Sequence, residues 1–389
     1  MIRIALIGCG KMADQHALQI TRIANVQIVA VCDSEPLMAR QLAHRLQIAH
    51  WFTDAEQMLR STAIDAVHLT TPPASHFPLA TLCIDAGCHV YVEKPFTLDA
   101  AQALKLIEHS GRAGVKMVVG HNAQFTPVMV RMREAVDSGY LGGRPLHIES
   151  HYCYALQDEA YAKTLLGDSG HWVRALPGSL LQNVISHGVC RIAEFMSGDD
   201  AEVMALGFTS PLLRSMGQHD IVDEVRALIR DREGTTAYFT FSSQFSPAPR
   251  QLRLYGRRNS LIVDDDQQIL IKVSGKEHRS YLRFLVPPLG YARQYVQNVA
   301  FNCREIASRR FHLPNDCGLH TLFQAFYDSI EGKSPPRFSN REILLTSRIM
   351  DKIFAQTCPV ARPPELTSKG SAADECKVVR ERLRALIQE

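Results

Sequence analysis

Directly behind the short hydrophobic run Ile2 to Ile7 stand the residues Gly8-Cys9-Gly10-Lys11-Met12-Ala13. This Gly-x-Gly-x-x-Ala spacing suits a dinucleotide. Gly8 permits a tight turn, Gly10 lets the backbone approach a pyrophosphate, and the small Ala13 lets a helix pack closely on the strand. The phosphates would then meet the helix N terminus, where N–H groups and the dipole favour anions. Asp33 ends the next apolar run, in the place where a carboxylate accepts hydrogen bonds from adenosine ribose hydroxyls. Ser34-Glu35-Pro36 follows and suits a helix start, so Asp33 also reads as an N-cap, and the two roles are compatible. A carboxylate there repels a 2′-phosphate, which favours NAD(H) over NADP(H).

These residues need a parallel sheet to hold them. Up to about residue 120, short β-branched runs alternate with helix-patterned segments, the rhythm of βαβ units. Strands are expected at Ile2 to Ile7, Val26 to Cys32, Ala66 to Thr70, His89 to Val92 and Lys116 to Gly120, with helices such as Pro36 to Leu46 and Ala100 to Ala113 between them. Residues 1–125 thus read as an α/β dinucleotide-binding Rossmann domain with a doubly wound parallel sheet. After about Thr126 the pattern changes. A helix from Pro127 to Asp137 ends at Gly139, and alternating runs follow at 145–155, 203–208, 223–230, 235–245, 251–255 and 260–264, with turn signals at Glu233-Gly234 and Gly256-Arg257. Residues 126–356 therefore read as an α+β substrate-binding and oligomerisation domain: an open, mainly antiparallel sheet covered on one face by helices at 180–196, 292–309 and 343–356. Residues 357–389 read as a linker and a short helix with Val379, Leu383, Leu386 and Ile387 on one face, or as a frayed tail.

The bulk properties agree with two soluble domains: 389 residues, 46% of them hydrophobic and 21% charged. The net charge of +3 provides no basic stripe, which argues against a nucleic-acid partner. Ten cysteines without a CxxC pair read as reduced thiols in a cytoplasmic protein, with no metal site. The run Ile2 to Ile7, interrupted by Arg3, is too short for a signal or membrane segment.

Two further segments narrow the fold to a family. Thr70-Thr71-Pro72-Pro73-Ala74-Ser75-His76 follows the third expected strand, and Val92-Glu93-Lys94-Pro95-Phe96 follows the fourth. With the glycine turn, with Asp223-Glu224 before a strand and with Phe338-Ser339-Asn340-Arg341-Glu342 at a helix start, the chain resembles the Gfo/Idh/MocA family over roughly residues 1–356. The family is named for glucose-fructose oxidoreductase, inositol dehydrogenase and rhizopine catabolism. The resemblance implies that Lys11, Met12, Thr71, Pro72, His76 and Glu93 serve the cofactor, and that Lys94 lies at the nicotinamide after a peptide order often cis at the following proline. An ammonium group beside a reacting C–OH steadies the oxygen as its proton leaves.

The segment from Gly178 to His187 resembles the family's second catalytic segment, in which Asp and His four residues apart face the active site. That spacing puts Asn183 and His187 on one helical face, with His187 matching the acid/base. The chain departs from the pattern here. Asn183 stands for the usual Asp, and Cys190 for the Asp expected three residues after the His. An amide orients an imidazole but cannot stabilise imidazolium by charge. Asn122 and Gln124 match the segment linking the two domains, and family members often carry Arg or Lys where Gln124 stands. Tyr152, Tyr154, His171 and Trp172 are placed to flank a sugar ring or to pack in a core.

The function these features imply is hydride transfer between nicotinamide and a sugar, cyclitol or related polyhydroxy compound, in a homodimer or homotetramer built through the C-terminal sheet. Two other readings remain: a non-catalytic sensor on the same fold, or tightly held NAD cycling during glycoside cleavage or epimerisation.

Overall fold

The computed structural model describes residues 1–155, 172–307 and 318–357. The described residues form two compact units: those of 1–134 with 292–347, and those of 135–291 with 348–357.

In the first unit six strands form one sheet: β1 (Ile2–Ile7), β2 (Val26–Cys32), β3 (His50–Phe52), β4 (Ala66–Leu69), β5 (His89–Val92) and β6 (Met117–Val119). Every pairing is parallel and the order is β3-β2-β1-β4-β5-β6. The order reverses between β1 and β4, and open α/β sheets bind ligands at the carboxyl ends of strands beside such a reversal. Apolar side chains alternate between two cores, as a strand buried on both faces requires. Ile4 and Leu6 enter one core, Ala5 and Ile7 the other.

Around the sheet run α1 (Lys11–Ile20), α2 (Pro36–Leu46), α3 (Ala55–Ser61), α4 (His76–Asp85) and α5 (Ala100–Ala113). The Asp99 carboxylate accepts the Gln102 N–H at 2.7 Å and starts α5, and Gly114 at φ 70° ends it. The helix α6 (Pro127–Asp137) has the bounds expected of it.

The expected domains differ from these units: the described residues of 126–134 and 292–347, expected in the second domain, belong to the first unit. A helix absent from the expected set, Leu319–Ile330, buries Leu319, Leu322, Phe323, Phe326 and Tyr327 in the same core as Ile4 and α1. Its apolar face has ordinary helical period. Its partner, however, lies some three hundred residues earlier in the chain, and periodicity does not name partners.

The second unit contains β7 (His147–Tyr152), β8 (Glu202–Phe208), β9 (Glu224–Arg230), β10 (Thr236–Ser242), β11 (Arg250–Tyr255), β12 (Asn259–Asp264) and β13 (Ile269–Ser274). The sheet order is β13-β12-β11-β7-β10-β9-β8, antiparallel throughout except for the parallel pair β7 and β10. The strands β3 and β13 were not among those expected. The expected helix at 180–196 is two pieces, α7 (Ser179–Val184) and α8 (Ser186–Phe195), interrupted at Ile185. A short α9 (Pro211–Ser215) follows β8. Helix α8 packs on β7 and β10, whereas Met204, Leu206 and Tyr238 are 71%, 64% and 53% exposed.

The helix α10 (Leu282–Ala307) starts earlier than expected because it carries Pro287 and Pro288 inside it, residues that read as breakers in sequence. In chain order the Leu319–Ile330 helix is α11, and α12 (Asn340–Thr357) follows. Among the described residues no helix is long and apolar enough to cross a membrane and no group of side chains could hold a metal ion. The tail residues Val379, Leu383, Leu386 and Ile387 lie outside the described residues.

Candidate cofactor and catalytic site

The glycine turn joins β1 to α1. Gly8 has φ 93°, and a Cβ on it would sit 2.8 Å from the Thr70 carbonyl carbon and the Thr71 nitrogen. Both facts require glycine there. Thr70 Oγ1 donates to the Gly8 carbonyl at 2.6 Å, so the loop after β4 is tied to the turn. Gly10 is the N-cap of α1, with φ −80° and no side-chain cap, and a Cβ on it would meet nothing within 4 Å. An uncapped helix N terminus opening onto free space beside a bare backbone fits an anionic pyrophosphate. Ala13 is fully buried, as close helix packing demands. Lys11 is exposed and Met12 half-buried at the first turn.

Asp33 follows the last residue of β2 and is half-buried. Its Oδ2 accepts the Cys9 N–H at 2.6 Å, and its Oδ1 accepts the Glu35 N–H at 2.9 Å. The N-cap of α2 is Glu35 itself, without a side-chain bond. Asp33 therefore braces the glycine turn as well as the approach to α2. Burial pushes the Cys9 thiol up to about 12, which keeps it protonated and unreactive.

At the neighbouring strand ends, the 3-10 turn Pro73–Ser75 leads into α4. Thr71 and Pro72 stand just before it, and Ser75 Oγ donates to the Pro72 carbonyl at 2.8 Å. His76 is fully buried. Its Nε2 lies 2.8 Å from the Thr71 carbonyl, its Nδ1 3.0 Å from that of Pro95, and burial lowers its pKa. The ring thus joins the loops after β4 and β5.

The Lys94-Pro95 peptide is cis. Lys94 is half-buried, and its backbone N–H donates to Glu93 Oε2 at 3.0 Å. Glu93 Oε1 lies 3.0 Å from His16 Nε2 and accepts the Tyr91 hydroxyl at 3.3 Å. Burial pushes the Glu93 carboxyl up, but the His16 hydrogen bond and the Lys94 charge outweigh it and hold the group below its ordinary value. Burial lowers the Lys94 ammonium, against the pull of Glu93.

A Cβ on Gly120 would lie 2.9 Å from the Tyr91 hydroxyl and 3.0 Å from Glu93 Oε1. His121 is pushed down to about 4 by burial, with Glu93 opposing and Lys94 adding to it. Asn122 and Gln124 lie on the 3-10 turn Asn122–Phe125, the first half-buried and the second buried.

In the second unit, Asn183 lies near the end of α7 and His187 in the first turn of α8, so the break at Ile185 separates them. His187 is buried, with its ring 5.5 Å from that of Tyr152. Gly188 allows this approach: a Cβ there would lie 2.7 Å from Tyr152 Cβ. Ser150 Oγ secures the helix by donating to the Gly188 carbonyl at 2.9 Å. The Cys190 thiol donates to the His187 carbonyl at 3.2 Å. The guanidinium of Arg191, fully buried, pairs with Asp265 and lies 5.1 Å from the centre of the Tyr152 ring. Tyr154 is half-buried beside Tyr152, ring centres 5.7 Å apart. Trp172 opens a 3-10 turn through Ala175; its side chain, and His171, lie outside the described residues.

The structure therefore gathers Gly8, Gly10, Asp33 and Thr71 at one turn, joins Glu93 and Lys94 to the neighbouring loop through His76, and places Asn183, His187 and Tyr152 in the other unit. Sequence reading did not single out His16, His68, Tyr327, Arg191 or Asp265. A histidine inside an amphipathic helix and a tyrosine in an aromatic stripe carry no signal of their own.

Residues 2–121 match the family described as oxidoreductase family, NAD-binding Rossmann fold. Inositol 2-dehydrogenase 4 of Saccharopolyspora erythraea is 34% identical over 37% of this chain, a match that spans only 43% of that relative. The 1-carboxy-3-chloro-3,4-dihydroxycyclohexa-1,5-diene dehydrogenase of Comamonas testosteroni is 28% identical over 86% of this chain and 89% of its own length. Among solved structures, the WlbA dehydrogenase from Bordetella pertussis in complex with NADH and UDP-GlcNAcA superposes with a TM-score of 0.69. It is 18% identical, with 91% of this chain and 95% of that one covered, and so shares the fold. With the parallel sheet, the glycine turn and the Glu93-Lys94-Pro95 segment in that order, residues 2–121 match the NAD-binding Rossmann region of the Gfo/Idh/MocA oxidoreductases.

Proposed function

We propose that the chain is a nicotinamide-dependent dehydrogenase or reductase acting on a CH–OH group of a sugar, cyclitol or related polyhydroxy compound. The observation that carries this is Lys94. It sits just beyond the carboxyl end of β5, one strand from the β1/β4 reversal where the glycine turn lies, with the buried Glu93 carboxylate as its neighbour. NAD(H), when bound, supplies the hydride acceptor or donor. Gly8 and Gly10 shape the turn, the N–H groups at the start of α1, with Lys11 and Met12, meet the pyrophosphate, and Thr71 and Pro72 border it. Asp33 holds the adenosine ribose and disfavours a 2′-phosphate, so NAD(H) is preferred over NADP(H).

Lys94 steadies the substrate oxygen, and His187 exchanges its proton. Asn183 orients the substrate, with Asn122, Gln124, Tyr152 and Trp172 as further contacts. The exposed apolar face around Met204, Leu206 and Tyr238 serves as the contact between copies in a homo-oligomer.

Lys94→Met is expected to abolish turnover, followed as nicotinamide absorbance across a panel of polyols and ketoses, while NADH still binds. Unchanged turnover would overturn the role of Lys94. A regulatory, non-catalytic role is the second reading, favoured by Asn183 and Cys190 where family members carry carboxylates. It predicts NADH binding without turnover on any member of the panel.

A further inference from the structure

Behind Glu93 a line of polar side chains runs through the apolar core of the first unit. His16 Nε2 lies 3.0 Å from Glu93 Oε1, and His16 Nδ1 lies 3.0 Å from His68 Nδ1. His68 Nε2 lies 2.8 Å from the Tyr327 hydroxyl. His16 and His68 are fully buried and Tyr327 is 1% exposed. Their surroundings are aromatic: the Tyr91 ring stacks on His68 at 4.7 Å, and Phe323 meets both histidines edge-on at 4.8 Å. Three elements distant in sequence, α1, β4 and α11, each contribute one member.

A neutral imidazole has one N–H and one bare nitrogen, so each ring in such a line must donate one way and accept the other. The two ends fix the direction. Glu93 can only accept while ionised, so His16 Nε2 must carry the proton and its Nδ1 must be bare. His68 Nδ1 must then donate, leaving His68 Nε2 bare to accept the Tyr327 O–H. The reversed arrangement aims a bare His16 nitrogen at a carboxylate oxygen and leaves the phenol O–H buried without an acceptor among the described residues.

We propose that Tyr327, acting through His68 and His16, sets which nitrogen of each ring carries the proton, aims the His16 N–H at Glu93, and so is a positioning residue for Lys94. The helix that closes this core late in the chain thereby takes part in fixing the charge beside the catalytic loop. The inference rests on the reading of Lys94 given above. The titratable groups around Lys94 are Glu93, whose charge holds its proton against burial, and His121, whose own protonation Lys94 disfavours. Around Glu93 stand His16, Tyr91 and Lys94, with His76 and His121 also within its field. Weakening the His16 donation lets Glu93 take up a proton more readily, and Lys94 then loses its own more readily.

The test reads the proton positions without turnover. In the full-length protein labelled with ¹⁵N-histidine, nitrogen shifts are expected to show His68 as the Nδ1–H form, the minor form of free imidazole, and His16 as the Nε2–H form. His68 found as Nε2–H, or either ring found as imidazolium at pH 7, would overturn the proposal. Tyr327→Phe keeps the ring in the core and removes only the hydroxyl. In that variant His68 is expected to populate its Nε2–H form, and the midpoint for acylation of Lys94, followed by peptide mass spectrometry against pH, is expected to fall by about one unit. An unmoved midpoint would show that the line is structural only. None of these readouts needs an active enzyme, so loss of the dehydrogenase reading through Lys94→Met and loss of this inference are separate results.

Discussion

Gly8 and Gly10 share one turn but do different work, and replacing each by alanine separates the two. At Gly8 the added methyl is penalised twice. The backbone sits at φ 93°, where an L-residue loses about 1–2 kcal/mol. The new Cβ would also lie 2.8 Å from Thr70 and Thr71 backbone atoms, which cannot swing aside as a side chain would. Overpacking of this kind costs about 1–3 kcal/mol, so Gly8→Ala should lose about 2–5 kcal/mol in total. Measured against a usual stability of about 5–15 kcal/mol, that is a large drop in the urea midpoint. At Gly10 neither term operates: φ is −80° and the methyl points into open space. Gly10→Ala should therefore stay within about 0.5 kcal/mol of the parent protein. NADH affinity, followed by fluorescence titration, should nonetheless fall tenfold or more, about 1.4 kcal/mol, because the methyl occupies the approach to the pyrophosphate. A Gly10→Ala protein that binds NADH as tightly as the parent would refute the assignment of this turn to phosphate. A Gly8→Ala protein with an unmoved urea midpoint would refute the steric reasoning.

Two further outcomes follow from the buried polar groups. Gly120→Ala places a methyl 2.9 Å from the Tyr91 hydroxyl and 3.0 Å from Glu93 Oε1, so the carboxylate must shift. A loss of about 1–3 kcal/mol is expected, read as a lower urea midpoint at constant m-value, and an unchanged midpoint would count against the packing described. His121 titrates at about 4 in the folded protein, against 6.5 for the ordinary group. Between those values the unfolded chain takes up a proton that the native state refuses, so stability is lost as pH falls from 6.5 toward 4. His121 alone contributes up to about 3 kcal/mol to that loss. His68 and His76, also lowered by burial, act in the same direction. Urea titrations at pH 7.5, 6 and 5 should show the slope, and His121→Asn should flatten it; a parent protein equally stable at all three would contradict the burial.

Much of the first unit was legible in the residues themselves. The bounds of β1, β2, β5, α2, α5 and α6 agree with expectation because apolar period, Asp99 at a helix start and glycine at a helix end are local properties. The glycine turn was legible for the same reason, since the φ of Gly8 is a property of one residue. Short or unusual elements were not. The strand β3 has three residues, Ile185 interrupts a helix whose apolar pattern runs on past it, and the prolines of α10 read as breakers.

What only the tertiary structure decided is which side chains meet. His16 reaches His68 across 52 positions and Tyr327 reaches His68 across 259. Arg191 finds Asp265 from another element, and α11 joins a core begun at Ile2. Periodicity tells a residue which face of its own element is buried. It carries no address for the element that covers that face, and so the cofactor turn could be read from the sequence while the polar line behind Lys94 could not.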